Sequence, residues 1–270
     1  MKVYIITKKR LAIFSAYLIV GAFVLYFATY GLSIATSSNN RLVPIYNVDT
    51  DKKQIAITFD SAWGADDTDE IISIFKENNA HATFFVLGEW VDKNPECVKK
   101  YSDAGHCIAS HSNTHDSLAR MSKSEIENQI LTCNQKIEKV TGKKNKLLRA
   151  PSGDYNNNVI EVANDMGMYV IQWNIDSLDY RKISEDEIYR RVVTNAKSGD
   201  IILFHTDVAN TPKVLPKIIK ELQSKGFELV TVDELIYKED YTIDHAGVQK
   251  PNHYTSEQKA PNNIANGTQQ

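Results

Sequence analysis

The middle of this 270-residue chain alternates short apolar runs with helical patterns, and this alternation limits the folds that it can adopt. The apolar runs have no polar face, which is typical of parallel strands buried on both sides. Parallel strands need long crossover connections, and a helical pattern follows each of seven runs. The pattern therefore predicts one α/β domain with a largely parallel sheet, open or closed.

The bounds of these elements follow from the apolar runs and from the residues that stop them. The predicted strands are 54–59, 82–86, 107–109, 147–149, 169–173, 201–204 and 228–230. The predicted helices are 68–78, 96–103, 124–140, 158–166, 184–195, 211–224 and 232–237. Asp67 precedes the first helix and Glu70 lies three residues further on, so we expect a capping box there. Gly142 follows the third helix, where a left-handed residue commonly ends a helix.

The N-terminus differs from the rest of the chain. Four cations in residues 1–10 precede an uncharged, mostly apolar stretch from Leu11 to Asn39. About 20 apolar residues suffice to cross a bilayer, and cations before the span keep the N-terminus inside. We therefore expect a single-pass signal anchor, with the following domain outside the cytoplasm. The alternative is a cleaved signal peptide with its site near Ala35, and the protein would then be secreted.

Composition divides the chain into four parts and excludes one class of partner. We expect an N-terminal stub and transmembrane helix at 1–36, a linker at 37–52, a catalytic domain at 53–238 and a disordered polar tail at 239–270. The formal net charge is −3, and nucleic-acid binding would favour a basic face. Three cysteines are too few for a disulfide framework. We expect a monomer that binds no nucleic acid.

Polar clusters follow five of the apolar runs at the points where the predicted strands end. The clusters are Asp60, His111 with His115, Arg149, Asp176 with Asp179, and His205. Parallel strands of α/β barrels gather their catalytic groups at their carboxyl ends. Carboxylates and histidines placed in this way predict metal-assisted hydrolysis.

The residue types suggest separate tasks. A carboxylate at a strand end, such as Asp60, suits a metal ligand or a general base. His111 and His115 are four residues apart, so on a helical turn both imidazoles would reach one cation. The guanidinium of Arg149 would hold a carboxylate through paired hydrogen bonds. An imidazole held by a carboxylate, as His205 would be, makes a general acid near neutral pH.

Taken in this order, the clusters resemble the NodB-type polysaccharide deacetylases of carbohydrate esterase family 4. The resemblance spans roughly 53–235 and is closest to the sporulation-associated members. It is carried by Thr58-Phe59-Asp60-Ser61-Ala62-Trp63-Gly64, His111-x-x-x-His115, Arg149-x-Pro151-x-Gly153, Asp176-Ser-Leu-Asp179 and Leu203-x-His205. It implies a distorted (β/α)7 barrel and the removal of N-acetyl groups from amino sugars of cell-wall glycan such as peptidoglycan.

The resemblance also implies a role for each matching residue. Asp60 matches the general base, His205 the general acid, Arg149 the residue that orients the base, and Asp179 the partner that sets the pKa of the acid. The implied metal ligands are His111 and His115, which would hold a divalent cation, Zn²⁺ or Co²⁺. The implied substrate and oxyanion residues are Ser152, Tyr180 and Leu203.

One residue departs from the family pattern. Ser61 stands where the family has a second aspartate, the third metal ligand, and a neutral hydroxyl is a poorer ligand than a carboxylate. We therefore expect the metal to be held weakly, with Asp66 or Asp67 as candidate substitutes. Two alternatives stay open: a glycan-binding homologue without the metal, and an esterase that removes O-acetyl groups.

Overall fold

The structure, a computed structural model, describes residues 8–36, 41–181 and 183–252. The chain divides into two compact units, Met1–Arg41 and Leu42–Gln270. The first unit contains one long helix, α1 (Lys8–Thr36). Within the described ranges, no helix combines the length and the apolar character that a membrane crossing needs. The transmembrane span predicted for 1–36 stays a prediction, and α1 occupies most of that segment.

The second unit is the α/β domain that the alternation predicts. Its strands are β1 (Asn47–Val48), β2 (Gln54–Ser61), β3 (Thr83–Val86), β4 (Cys107–Ser110), β5 (Leu147–Leu148), β6 (Tyr169–Val170), β7 (Ile175–Asp176), β8 (Ile201–His205), β9 (Glu228–Leu229), β10 (Tyr241–Ile243) and β11 (Val248–Pro251). Its helices are α2 (Thr68–Glu77), α3 (Gly88–Lys93), α4 (Pro95–Asp103), α5 (Lys123–Thr141), α6 (Asn157–Asp165), α7 (Glu185–Val193), α8 (Thr211–Ser224) and α9 (Val232–Leu235). Short 3-10 helices lie at Leu118–Arg120, Pro151–Gly153 and Asp179–Arg181.

Eight parallel strands form the main sheet, which is curled. Its order is β6-β5-β4-β3-β2-β8-β7, and β9 pairs with the start of β2. The register places Asp60 beside His205 on the neighbouring strand. Because all the strands run the same way, their carboxyl ends share one edge of the sheet. That edge carries the candidate site.

The curled sheet forms a half-barrel, where the resemblance implied a distorted (β/α)7 barrel. The segment predicted as one strand, 169–173, ends as β6 at Val170, and the chain starts again as β7. Within the described part of the chain, no ladder joins these two edge strands. Instead the amide of Gln172 donates to the carbonyl of Ile45 at 2.7 Å, and the amide of Ile45 donates to Val170 at 2.9 Å. Ile45 thus occupies backbone groups at residues 170 and 172 that a neighbouring strand would pair with if the sheet closed into a barrel.

The core around β2 consists of stacked aromatic rings. The ring centroids of Phe59 and Phe84 are 4.9 Å apart, and those of Phe84 and Tyr101 are 3.8 Å apart. Phe204 stacks on Phe59 from β8 at 5.8 Å. These side chains are fully buried, so they fix the two strands that carry Asp60 and His205.

Parts of the predicted linker and tail are ordered. β1 lies in the predicted linker, and β10 and β11 lie in the predicted disordered tail; together they form a small three-stranded sheet. The side chain of Gln249 is fully buried, where its Oε1 accepts from the amide of Tyr237 and its Nε2 donates to the same residue's carbonyl. This segment has few apolar residues to bury, so these buried hydrogen bonds hold it against the domain instead. The rest of the predicted tail, 253–270, lies outside the described residues.

Of the two helix ends predicted from single residues, one is confirmed and one is wrong. Gly142 ends α5 in the left-handed conformation, with φ of 68°, as predicted. The capping box predicted at Asp67 is wrong, because the side chain makes no cap hydrogen bond to α2. Its carboxylate instead accepts from the amide of Asp207, on the loop after β8.

Candidate active site

The polar clusters of the sequence meet at one cleft on the carboxyl edge of the sheet. The cleft encloses about 270 Å³. It is lined by Asp60, Ala62, Trp63, His111, His115, Ser152, Trp173, Asp176, Tyr180, Leu203 and His205. Two further residues of the predicted site, Arg149 and Asp179, are buried directly behind the groups that face the cleft.

A buried ion pair holds the candidate base. Asp60 is the next-to-last residue of β2, and its Oδ1 accepts from Nη1 of Arg149 at 2.8 Å. The guanidinium is fully buried, stacks 4.0 Å from the ring of Phe85 and donates through Nη2 to the carbonyl of Gln172 at 3.1 Å. Burial alone would raise the pKa of Asp60, but the charge of Arg149 and its hydrogen bond help to hold it below its usual value. Asp60 is therefore ionised at neutral pH.

The two candidate metal ligands lie on an irregular loop and not on the helical turn that their spacing suggested. His111 follows β4, and the chain then turns through Ser112, whose φ is +70°. The imidazole rings of His111 and His115 still approach to 5.5 Å between centroids. His111 is buried, whereas His115 is exposed at the rim of the cleft.

The environment of His111 fixes its tautomer. Nδ1 lies 2.9 Å from the carbonyl oxygen of Arg149, which can only accept, so Nδ1 carries the proton. Burial lowers the pKa of His111, so the ring is neutral and the lone pair on Nε2 is free. Nε2 is 3.5 Å from Oδ2 of Asp60. Two acceptors therefore face each other across the floor of the cleft.

A second buried carboxylate holds the candidate acid. Oδ1 of Asp179 lies 2.8 Å from Nδ1 of His205, and Oδ2 accepts from the amide of His205 and from the hydroxyl of Thr211. Burial lowers the pKa of His205, but its hydrogen bond to Asp179 and the charge of Asp60 outweigh burial and raise the pKa above the ordinary value. Because Nδ1 donates to Asp179, the other ring nitrogen, Nε2, is left for substrate.

The remaining predicted residues also line the cleft. Ser152 is exposed and has a φ of 56°, which turns its backbone sharply after Arg149. The ring of Tyr180 lies 5.0 Å from that of His205. Leu203 contributes an apolar wall from β8. Asp176, for which the resemblance gave no definite role, lines the cleft too, and its Oδ1 accepts from the amide of Leu178.

Sequence reasoning gave no role to two aromatic residues of the cleft. Trp63 is 68% exposed and its ring lies 5.6 Å from that of His115. Trp173 is half-buried, with the Arg149 guanidinium 5.4 Å from its ring. A tryptophan so close after a strand-end aspartate is the signal that would have indicated Trp63.

The donors present do not fit a tightly held metal ion. Ser61 ends β2 with its Oγ buried and without a hydrogen-bond partner. Neither of the candidate substitutes for the missing ligand, Asp66 and Asp67, lines the cleft. In the described ranges 8–36, 41–181 and 183–252, no group of three or more His, Cys, Asp or Glu side chains would hold a metal ion. Two imidazoles are fewer than the three protein ligands of a catalytic zinc site.

Comparisons with known proteins agree with this geometry. Residues 47–171 match the family model described as polysaccharide deacetylase. A peptidoglycan-N-acetylglucosamine deacetylase of Bacillus cereus is 35% identical over 196 residues, which are 71% of this chain and 92% of the relative. The peptidoglycan-N-acetylmuramic acid deacetylase PdaC of Bacillus subtilis is 35% identical over 188 residues, which are 70% of this chain and 40% of the relative.

Solved structures include both active and inactive relatives. A CE4 family pseudoenzyme from Bacillus anthracis matches with a TM-score of 0.69 and 32% identity, over 71% of this chain and 68% of that chain. A mutant described as having restored enzymatic activity matches with a TM-score of 0.69 and 33% identity, over 71% and 70% of the two chains. This chain belongs to the polysaccharide deacetylase family.

Proposed function

We propose that this chain removes N-acetyl groups from amino sugars of a cell-wall glycan such as peptidoglycan. One observation carries the proposal: an ionised carboxylate and an imidazole whose pKa is raised face the same cleft, and each is held by its own buried partner. A hydrolytic site needs both a base and an acid with different pKa values. The relatives named as peptidoglycan deacetylases support the choice of substrate.

The first step of the proposed reaction uses Asp60. Its carboxylate takes a proton from a water molecule, and the water oxygen bonds to the amide carbon of the N-acetyl group. Arg149 keeps the carboxylate in one orientation through the bond from Nη1. The backbone N–H of Ser152 would stabilise the negative oxygen that forms.

The second step uses His205. Nε2 donates a proton to the sugar nitrogen, the carbon–nitrogen bond breaks, and the products are acetate and a free amine. The carboxylate of Asp179 keeps the proton of Nδ1 in place and stabilises the imidazolium. His111 and His115 are the residues that would hold Zn²⁺ or Co²⁺ weakly, and no step above depends on such an ion.

Because peptidoglycan lies outside the cytoplasm, we propose that the protein acts there, as a monomer. The direct test is acetate release by the purified full chain from N-acetylated peptidoglycan and from chitooligosaccharides, with and without added Zn²⁺ or Co²⁺. Acetate from both glycans would support the proposal. Release from acetylated xylan alone would identify an O-acetyl esterase instead, and no release from any of them by folded protein would contradict hydrolysis.

A second candidate function is glycan binding without hydrolysis. Two observations favour it: Ser61 removes a carboxylate from the cleft, and a solved relative of similar fold is a pseudoenzyme. Elemental analysis of the purified chain, together with the variant Ser61→Asp, separates the two. A wild type without metal or activity, and a Ser61→Asp variant that gains both, would establish the binding function.

A further inference from the structure

Asp67 links the two loops that follow the strands of the candidate base and the candidate acid. It lies after β2, seven residues beyond Asp60, and is only 9% exposed. Its Oδ2 accepts from the backbone amide of Asp207 at 2.6 Å, two residues after His205. Asp67 does not line the cleft, and the helix cap that the sequence predicted for it is absent. Its carboxylate therefore serves the contact between the loops.

The contact between the two loops is close and constrained. The amide of Thr206 donates to the carbonyl of Asp60 at 3.3 Å, next to the bond that Asp67 receives. Asp207 has a φ of +61°, an unfavourable conformation for a residue with a side chain. A Cβ on Gly64 would lie 1.9 Å from Oδ2 of Asp207, so a larger residue there would have to displace the Asp207 side chain. Two hydrogen bonds and one close packing contact thus hold the loop after His205 against the segment that follows Asp60.

We propose that Asp67 is a positioning residue that fixes His205 relative to Asp60 by holding the amide of Asp207. The inference rests on the proposed function, because it assigns a part in the same reaction. Asp60 and His205 are register partners on adjacent strands, so a shift of either loop changes the distance between base and acid. Displacements of about 1 Å can lower a rate by about 10²-fold.

The environment of Asp67 disfavours the ionised form of its carboxylate. Burial raises the pKa of Asp67 to about 6, from 3.8, and the nearby carboxylates of Asp207 and Glu70 add to the increase. Tyr101, whose hydroxyl donates to Thr68, also faces it, and none of these groups is a cation. The pKa of Asp67 is higher in the folded than in the unfolded protein. Its contribution to the free energy of unfolding is therefore complete below pH 3.8 and is lost as the pH rises through about 6. At neutral pH the ionised carboxylate thus lowers stability, as functional groups often do.

The test compares Asp67→Asn and Asp67→Ala with a matched control, Asp66→Ala, all in the full chain. Asp66 is adjacent and exposed, so its removal should change nothing. We expect Asp67→Ala to lower kcat about 10- to 100-fold with KM little changed. Asp67→Asn keeps an oxygen acceptor of the same shape, so it should fold, lose less kcat than the alanine variant, and have a higher Tm than the wild type at neutral pH.

A measurement that needs no turnover separates this inference from the proposed function. In nitrogen-15 spectra of the wild type, the Asp207 amide should shift with a midpoint near the pKa of Asp67, about 6. In Asp67→Asn that transition should be absent, and the His205 ring signals should move in Asp67→Ala. Should the wild type release no acetate, these spectra alone decide the inference. Equal kcat in Asp67→Ala and Asp66→Ala, or an Asp207 amide that ignores pH in the wild type, would overturn it.

Discussion

Nη1 of Arg149 donates to Oδ1 of Asp60 at 2.8 Å, across a separation of 89 residues, and both groups are buried. The pair joins the end of β2 to the residue after β5. A buried guanidinium without its carboxylate would keep an uncompensated charge in the interior. The ion pair therefore fixes the base and, at the same time, ties the two strand ends together.

Asp60→Ala should destabilise the fold as well as abolish hydrolysis. Breaking a buried pair from one side typically costs about 3–5 kcal/mol, because the partner stays charged. Urea unfolding measures the effect. The control is Asp186→Ala, which removes one partner of an exposed 3.6 Å pair with Lys217 and should cost about 1 kcal/mol or less. Equal midpoints for the two variants would show that the buried pair does not contribute as described.

Asp179→Asn should move the alkaline limit of activity to lower pH. Asp179 raises the pKa of His205, so the imidazole keeps its proton above the ordinary value of 6.5. Stability should depend on pH in the same direction. The contribution of His205 to the free energy of unfolding is complete below pH 6.5 and is lost as the pH rises through its raised pKa. The asparagine variant removes the charge, so the descending limb of the kcat profile should shift to lower pH. An unchanged limb would mean that another group supplies the proton.

Ser61→Asp should strengthen the binding of a metal ion that His111 and His115 alone would hold only weakly. A third, charged ligand beside two imidazoles would strengthen binding on the order of 10²-fold if it contributes a few kcal/mol. Titration with Zn²⁺, followed by calorimetry, measures the change. Ser61→Asn is the matched control, because it has nearly the same size without the charge. Equal Zn²⁺ affinities for the Ser61→Asp and Ser61→Asn variants would show that a side chain at position 61 does not bind the metal ion.

Trp63→Ala should weaken glycan binding without affecting stability. The indole is 68% exposed at the rim of the cleft, so its removal exposes no core, whereas a sugar ring stacked on it would lose an aromatic contact of about 1 kcal/mol. We expect the Kd for chitooligosaccharides to rise by roughly fivefold to tenfold. Leu131→Ala is the control, since Leu131 is 45% exposed on α5 and does not line the cleft. If both variants bind equally well, Trp63 makes no contact with substrate.

Much of the fold was predictable because buried parallel strands have a distinct pattern. The central strand β2 is apolar on both faces, and its run was found almost in full, with the strand reaching Ser61. The helix predicted at 211–224 has the same bounds in the structure. Closure of the sheet was not predictable, because it depends on whether Ile45 or a neighbouring strand pairs with the groups at residues 170–172. The chain around Ile45 gives no local sign of that choice.

The candidate site was predictable for a similar reason. Polar residues that end buried strands must meet at one edge of a parallel sheet, so Asp60 and His205 were expected to lie together. The partners of a side chain depend on tertiary contacts that no local pattern encodes. Asp67 satisfies every local rule for a helix cap, yet it accepts from Asp207, 140 residues away. The strands at Tyr241 and Val248 were missed because buried hydrogen bonds, and not an apolar pattern, hold that segment.

The most direct test of the central claim is mass spectrometry of peptidoglycan fragments after incubation with the full chain, alongside the Asp60→Asn variant. Asparagine keeps the shape of the side chain and an acceptor for Arg149, so it removes the base and should destabilise the fold less than alanine does. We predict that the wild type converts N-acetylated sugars to free amines, with one acetate released for each amine, and that Asp60→Asn is slower by about 10²- to 10⁴-fold. Fragments that stay fully acetylated with the wild type, or equal rates for the two proteins, would contradict the account.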